Sequence, residues 1–261
     1  MKMEQSSQVL ETAREKLGSI VTDRGLLEAE VAVSVSVLTS EEAIGRPTRR
    51  DFPILKGVER VIEASISGAR GHAYTDSPRD FRGTVQDVLA LPLSSSENRA
   101  VFIATLNAVL RSLGMLESSV HCKDDDPEKC AKEIAAHVFD RWGKVRVGLI
   151  GLNPAIAEAL VAALGEDNVG INDLNPENIG SVKFGVKIGD GRTRTRELIH
   201  WADGIVMTGT TLVNGTFDDI REAVQRAGDR YLIYGITAAG VCELMGWNGM
   251  CPYGARTKSA E

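Results

Sequence analysis

VRVGLIGLNPAIAEALVAAL, residues 145–164, is the stretch on which the fold turns. From Val145 to Ile150 it is apolar but for Arg146, the texture of a strand that helices cover on both faces in a parallel sheet. Gly151 allows a tight turn, Asn153 can cap, and Pro154 suits the first position of a helix running to Leu164. Working outward, VGIND (169–173), GIVMT (204–208) and YLIYG (231–235) are further short runs, each set apart by helical or loop sequence. Strands alternating with helices predict right-handed crossovers and a doubly wound parallel sheet.

Upstream the texture changes. An opening amphipathic helix carries Val9, Leu10, Ala13 and Leu17 on one face, and strict alternation then follows at Val31, Val33, Val35 and Val37. Ile62, Ala64 and Ile66 alternate again, so the two segments pair as antiparallel strands. Ser94 and Glu97 have capping-box spacing before a helix over 98–113. A second helix starts at Asp126 and Pro127, runs through Cys130, Ile134 and Val138, and closes at Gly143. The fold class is therefore α/β, a Rossmann-like parallel sheet preceded by a smaller α+β domain. The expected division is residues 1–126, a bridging helix over 127–143, and the Rossmann-like part over 144–261.

Composition excludes several classes. The 261 residues carry a formal charge of −6 and no apolar run of the ~20 residues a membrane span needs, so neither nucleic acid nor membrane is an expected partner. The start lacks a secretory core, which places the chain in the cytoplasm and its four cysteines as thiols. Two basic runs, 46–50 and 192–196, read either as solvated loop charge or as a grip on an anionic ligand. Self-association into a homo-oligomer is left open.

In a doubly wound sheet, ligands bind beyond the carboxyl ends of the strands. The first loop there, GLNPA, offers Gly151 and Asn153 but lacks the glycines of a dinucleotide fingerprint, so no motif identifies a cofactor. The second holds Asp173, about where Rossmann proteins place an acid against ribose; capping a turn is the alternative. The third, GTTLVNGT (209–216), gathers Thr210, Thr211 and Asn214 where hydroxyls and amides can cradle a carboxylate, phosphate or carbonyl. The tail after YLIYG holds Cys242 and Cys251, and a thiolate metal site would need Cys122, His121 or Cys130 brought across to them. Structural thiols are the competing reading for all four. In the first half, Arg99 and Asn107 are polar groups on an apolar helix, each needing a partner or a cavity, and Thr75 and Asp76 end a strand softened by Gly68 and Gly71.

Taken in order, FPILKGVERVIEASISGARGHAYTD (52–76), LPLSSSENRAVFIATLNAVLRSLG (91–114), VHCKDDDPEKCA (120–131), VGLIGLNPA (147–155) and ADGIVMTGTTLVNGT (202–216) resemble the heavy-metal chelation family. That resemblance implies an enolase-N-terminal-like domain joined to a Rossmann-like one, with a cleft between them. It implies chemistry on metal-chelating small molecules, or condensation or hydrolysis of pterin- or flavin-like compounds. By matching motif, Thr75, Asp76, Asn98, Arg99 and Asn107 would line the cleft from one side. Asn153, Asp173, Thr210, Thr211 and Asn214 would line it from the other. Three functions compete: a binding protein for a small ligand, such as a metal chelate; an enzyme using Asp76 or Asp173 as acid or base; and a thiolate metalloprotein using Cys122, Cys130, Cys242 and Cys251. An adenosylmethionine-type Rossmann enzyme is a further alternative.

Overall fold

The computed structural model describes residues 7–27, 33–57 and 59–254. Helix α1 (Gln8–Asp23) opens on Ser7, whose hydroxyl accepts from Leu10 N, and it buries Leu10, Ala13, Leu17 and Val21. Strand β1 (Val33–Leu38), the short helix α2 (Ser40–Ile44), a 3-10 turn at Pro53–Lys56, and strands β2 (Arg60–Ile66), β3 (Ala69–Thr75) and β4 (Phe81–Gly83) follow. The four strands form an antiparallel sheet in the order β3-β2-β1-β4, with Val37 opposite Ile62 as the alternation requires. Val31, at the start of that alternation, lies outside the described residues.

Helices α3 (Val85–Leu89) and α4 (Ser96–Ser112) come next. The cap of α4 is Ser95 rather than Ser94, with its hydroxyl accepting from Asn98 N. Every residue of α4 from Asn98 to Leu110 is buried, because the antiparallel sheet packs on one flank and elements of the second half on the other. The helix comes close to β3 only because residue 71 is glycine: a Cβ there would lie 2.3 Å from both Ala104 O and Ala108 N.

Helix α5 (Asp126–Trp142) follows. Its Ala131, Ile134, Ala135 and Val138 share one apolar cluster with Ile44, Phe52 and Ile54 of the first half and with Val147 and Leu149 of the second. That half runs β5 (Val147–Ile150), α6 (Pro154–Leu164), β6 (Val169–Asp173), β7 (Val182–Lys183), β8 (Val186–Asp190), α7 (Thr195–Trp201) and β9 (Gly204–Thr208). It ends with α8 (Thr210–Asn214), α9 (Phe217–Ala227), β10 (Tyr231–Tyr234), α10 (Ala239–Met245) and β11 (Gly249–Met250). The seven-stranded sheet has the order β11-β10-β9-β5-β6-β8-β7, parallel except for the β7–β8 hairpin. Leaving out β7, this is the doubly wound Rossmann order, and the winding reverses between β5 and β9.

The sequence reading had passed over β8 and β11. Strand β8 buries only Val186 and Ile188 fully and exposes Lys187 between them, so it lacks the continuous apolar run of a central strand. Strand β11 is two residues long. The loop GTTLVNGT also differs from expectation, since Thr210–Asn214 winds into one helical turn closed by left-handed Gly215.

Candidate functional site

At the point where β5 and β9 part, their following chains run to opposite faces of the sheet and leave a crevice. Residues of the first half, among them Glu59, Tyr74, Thr75 and Asp76, wall it on the far side and give a cavity of about 740 Å³. The first loop is tightly determined. Gly151 has φ +86°, and a Cβ on it would lie 2.5 Å from Thr208 Cγ2. Asn153 caps α6, its Oδ1 accepting from Ala155 N and Ile156 N at 3.1 and 3.2 Å.

Asp173 also lies on the wall, but its oxygens are in use. Oδ2 accepts from Leu152 N at 2.6 Å, while Oδ1 accepts from Asn175 N and Asn178 Nδ2. Its carboxylate thus ties the loop after β6 to the loop after β5. Thr210, Thr211 and Asn214 line the cavity too. Their oxygens serve the turn first: Thr211 Oγ1 donates to Thr208 O, and Asn214 Oδ1 accepts from both Thr216 N and Thr216 Oγ1. The hydroxyls of Thr210 and Thr211 thus spend their protons within the turn and remain available only as acceptors.

Three of the anticipated residues stand behind the wall rather than on it. Asn98 holds Arg79 and donates to Pro92 O. Arg99 donates to Val213 O at 2.7 Å and to the carbonyls of Leu93 and Ser94, so it braces α8 from α4. Asn107 donates to His72 O and Ile236 O and accepts from Gly240 N, stitching α4, β3 and the chain after β10 together. Each is the satisfied polar group that burial demands. Of the remaining two, Thr75 is buried with Oγ1 accepting from Ser77 N, and Asp76 is exposed at the cavity with Ser77 Oγ on its Oδ1.

Three polar wall residues, Glu59, Tyr74 and Asn172, carry no mark in the sequence, and His121 is marked there only as a companion of the cysteines. Glu59 is half-buried on the cavity wall; burial, then the charges of Asp173 and Asp76, raise its carboxyl to about 7. Tyr74 donates its backbone N–H to Thr237 Oγ1 and packs edge-on against His121, 5.2 Å between centroids. The His121 Nδ1 lies 2.5 Å from Cys122 O, and a carbonyl only accepts, so Nδ1 carries the proton and Nε2 is a bare acceptor. Burial lowers His121 to about 4. Nothing in the local pattern around Glu59 marks it; only the meeting of distant segments does.

Three of the four cysteines, Cys122, Cys130 and Cys251, come near enough for their charges to interact, and Cys242 stands apart. Cys122, Cys130 and Cys251 line the cavity, while Cys242 sits on α10 against Gly249. Burial pushes the thiols of Cys130 and Cys251 up to about 11 and about 12, and that of Cys122 higher, which disfavours thiolates. Among the described residues no three of His, Cys, Asp and Glu are grouped to hold a metal ion. No helix among them is long and apolar enough to cross a membrane.

A Rossmann-ordered sheet whose switch-point crevice is walled by an antiparallel α+β layer defines an α/β protein with a composite cavity. Residues 134–246 match the model of the DUF364 family, described as “Putative heavy-metal chelation”, and the family likeness read from the sequence holds over that segment. Two solved structures are similar. One is a protein with unknown function from the DUF364 family of Pyrococcus horikoshii, 16% identical, covering 92% of this chain and 81% of that one at a TM-score of 0.48. The other, of the same family and also of unknown function, comes from Desulfitobacterium hafniense; it is 16% identical, covering 71% and 72% at a TM-score of 0.46. No curated protein matches the chain.

Proposed function

We propose that this chain binds a small metal-chelating molecule, or its pterin- or flavin-like precursor, in the cavity between the two sheets, with any metal belonging to the ligand. The observation that carries this reading is the cavity itself: about 740 Å³ at a Rossmann switch point, within the range of small-molecule sites. The matched family's description supplies the ligand class. In this reading the units meeting at the cavity are residues 1–126 and 144–261, bridged by the helix over 127–143. Gly151, Asn153, Thr210, Thr211 and Asn214 shape and line the ligand's berth, and Asn98, Arg99 and Asn107 hold that wall in place. Any proton transfer falls to Glu59 with Asp76, because Asp173 is committed to three N–H groups.

The test is a thermal-shift panel of nitrilotriacetate with and without metal, a pterin, flavin mononucleotide and adenosylmethionine. A ligand at a hundred times its Kd adds about 2.7 kcal/mol to stability. A true ligand loses that response in Asn214→Ala and Glu59→Gln. A response to adenosylmethionine alone selects the methyltransferase-like alternative, and silence across the panel removes the proposal.

A further inference from the structure

Among the described residues His121 is the only histidine that lines the cavity, where it is half-buried. Its two ring nitrogens have different fates. Nδ1 donates to Cys122 O at 2.5 Å, which leaves Nε2 with a lone pair and no proton. Nε2 has no hydrogen-bond partner among the described residues, yet it is not one of the unpartnered polar atoms that packing seals from solvent. Its lone pair is therefore open to whatever fills the cavity.

The residue is held still from several sides. Tyr74 packs edge-on against the ring, 5.2 Å between centroids. His121 N donates to His72 Nδ1 at 3.2 Å, and His72 Nε2 meets Glu63 Oε2 at 2.8 Å, so the backbone is fixed as well. A histidine that gives one ring N–H to a backbone carbonyl and offers its other nitrogen has the arrangement of metal-ligating histidines. Among the described residues, however, no three of His, Cys, Asp and Glu are grouped to hold a bare ion. A chelate brings most of the coordination shell with it and lacks only what water otherwise fills. One fixed imidazole can supply that, and unlike the thiols on the same wall it coordinates without first losing a proton.

We infer that His121 Nε2 coordinates the metal of the bound chelate, at a position that the chelator leaves open. The inference rests on the cavity being the chelate's site. It narrows the ligand class to a coordinatively unsaturated chelate of a metal that takes imidazole, such as Ni2+, Cu2+ or Zn2+.

The test uses the untagged full chain carrying His137→Ala and His200→Ala, which removes the two histidines outside the cavity that reach solvent; His72 is 1% exposed. Calorimetric titration compares Ni2+–nitrilotriacetate, which leaves positions open, with Ni2+–ethylenediaminetetraacetate, which leaves none, with metal-free nitrilotriacetate and with Ni2+ alone. The open chelate is expected to bind about tenfold or more tightly than the other three, since even a partner behind a metal ligand is worth about that much. His121→Ala removes the margin. Cu2+–nitrilotriacetate gives the spectroscopic counterpart, an electron paramagnetic resonance signal coupled to one imidazole nitrogen and lost in His121→Ala. Equal binding of the open and saturated chelates overturns the coordination, and that comparison needs no His121 variant to fold. So does Ni2+ alone binding as tightly, or a margin that survives His121→Ala, whether or not Cys122→Ser or Cys251→Ser abolishes it. A pterin or flavin that binds and is lost in Asn214→Ala, with no margin for the open chelate, overturns the coordination while leaving the cavity reading intact. Silence toward every one of these ligands removes both.

Discussion

Glu59 shows how one side chain draws its properties from segments far apart in the chain. Its carboxyl titrates at about 7 in the folded protein because burial and two neighbouring carboxylates oppose its charge. The unfolded value is near the ordinary 4.5. The folded state therefore holds the proton more tightly, and this contribution to stability is complete below about 4.5 and lost as pH rises through about 7. The loss amounts to about 3 kcal/mol at most, since the cavity opens to solvent. Glu59→Gln should thus gain on the natural protein progressively between pH 5 and 8 in urea melts. Parallel pH profiles for the two proteins would contradict it. At this scale the sequence was readable where a residue's role is local: Asn153 announces its cap, and Gly151 its turn. Glu59 and Asn172 were not, because their character comes from packing against residues remote in sequence.

Among the elements, α4 and β3 are held at a separation that only glycine permits. Gly71→Ala would drive a methyl into the backbone of α4 at Ala104 and Ala108, where nothing flexible can yield. A loss of about 1–3 kcal/mol or more is expected by chemical denaturation. Gly18→Ala is the counterpart: it lies inside α1 with nothing within 4 Å of a new Cβ, so a gain of about 0.5–1 kcal/mol is expected from helix propensity alone. Equal effects in the two variants would mean that the close approach does not matter. Most elements were legible from period and caps, and β5, β6, β9 and β10 were read as runs of nearly correct extent. Strand β8 was not, because lying next to the edge it is apolar only at alternate positions, and α8 was not, because its threonines and asparagine read as turn formers.

For the molecule as a whole, one apolar cluster runs from Leu10 and Leu17 through Phe102 and Leu106 to Met207, Ile233 and Val241, crossing the division the sequence suggested at residues 126 and 144. Polar ties cross it as well: Val9 N to Asp218, Lys16 to Leu244 O, and Asn107 to Ile236 O and Gly240 N. We expect the two halves to unfold together. All three tryptophans, Trp142, Trp201 and Trp247, lie beyond residue 126, so their fluorescence reports the second half while far-ultraviolet circular dichroism reports both. Coincident urea transitions are expected, and an earlier dichroism transition would show that the first half melts independently.

The enclosure of α4 also sets a timetable for biosynthesis. Its second flank, where Gly240 and Val241 come to rest, stays uncovered on the nascent chain until the ribosome has passed Met245. Until then a helix that the finished fold encloses from Asn98 to Leu110 waits with one flank in water, where the emerging polypeptide is prone to aggregation and open to holding chaperones. Fragments released before that point would be clients for degradation, not miniature versions of the protein.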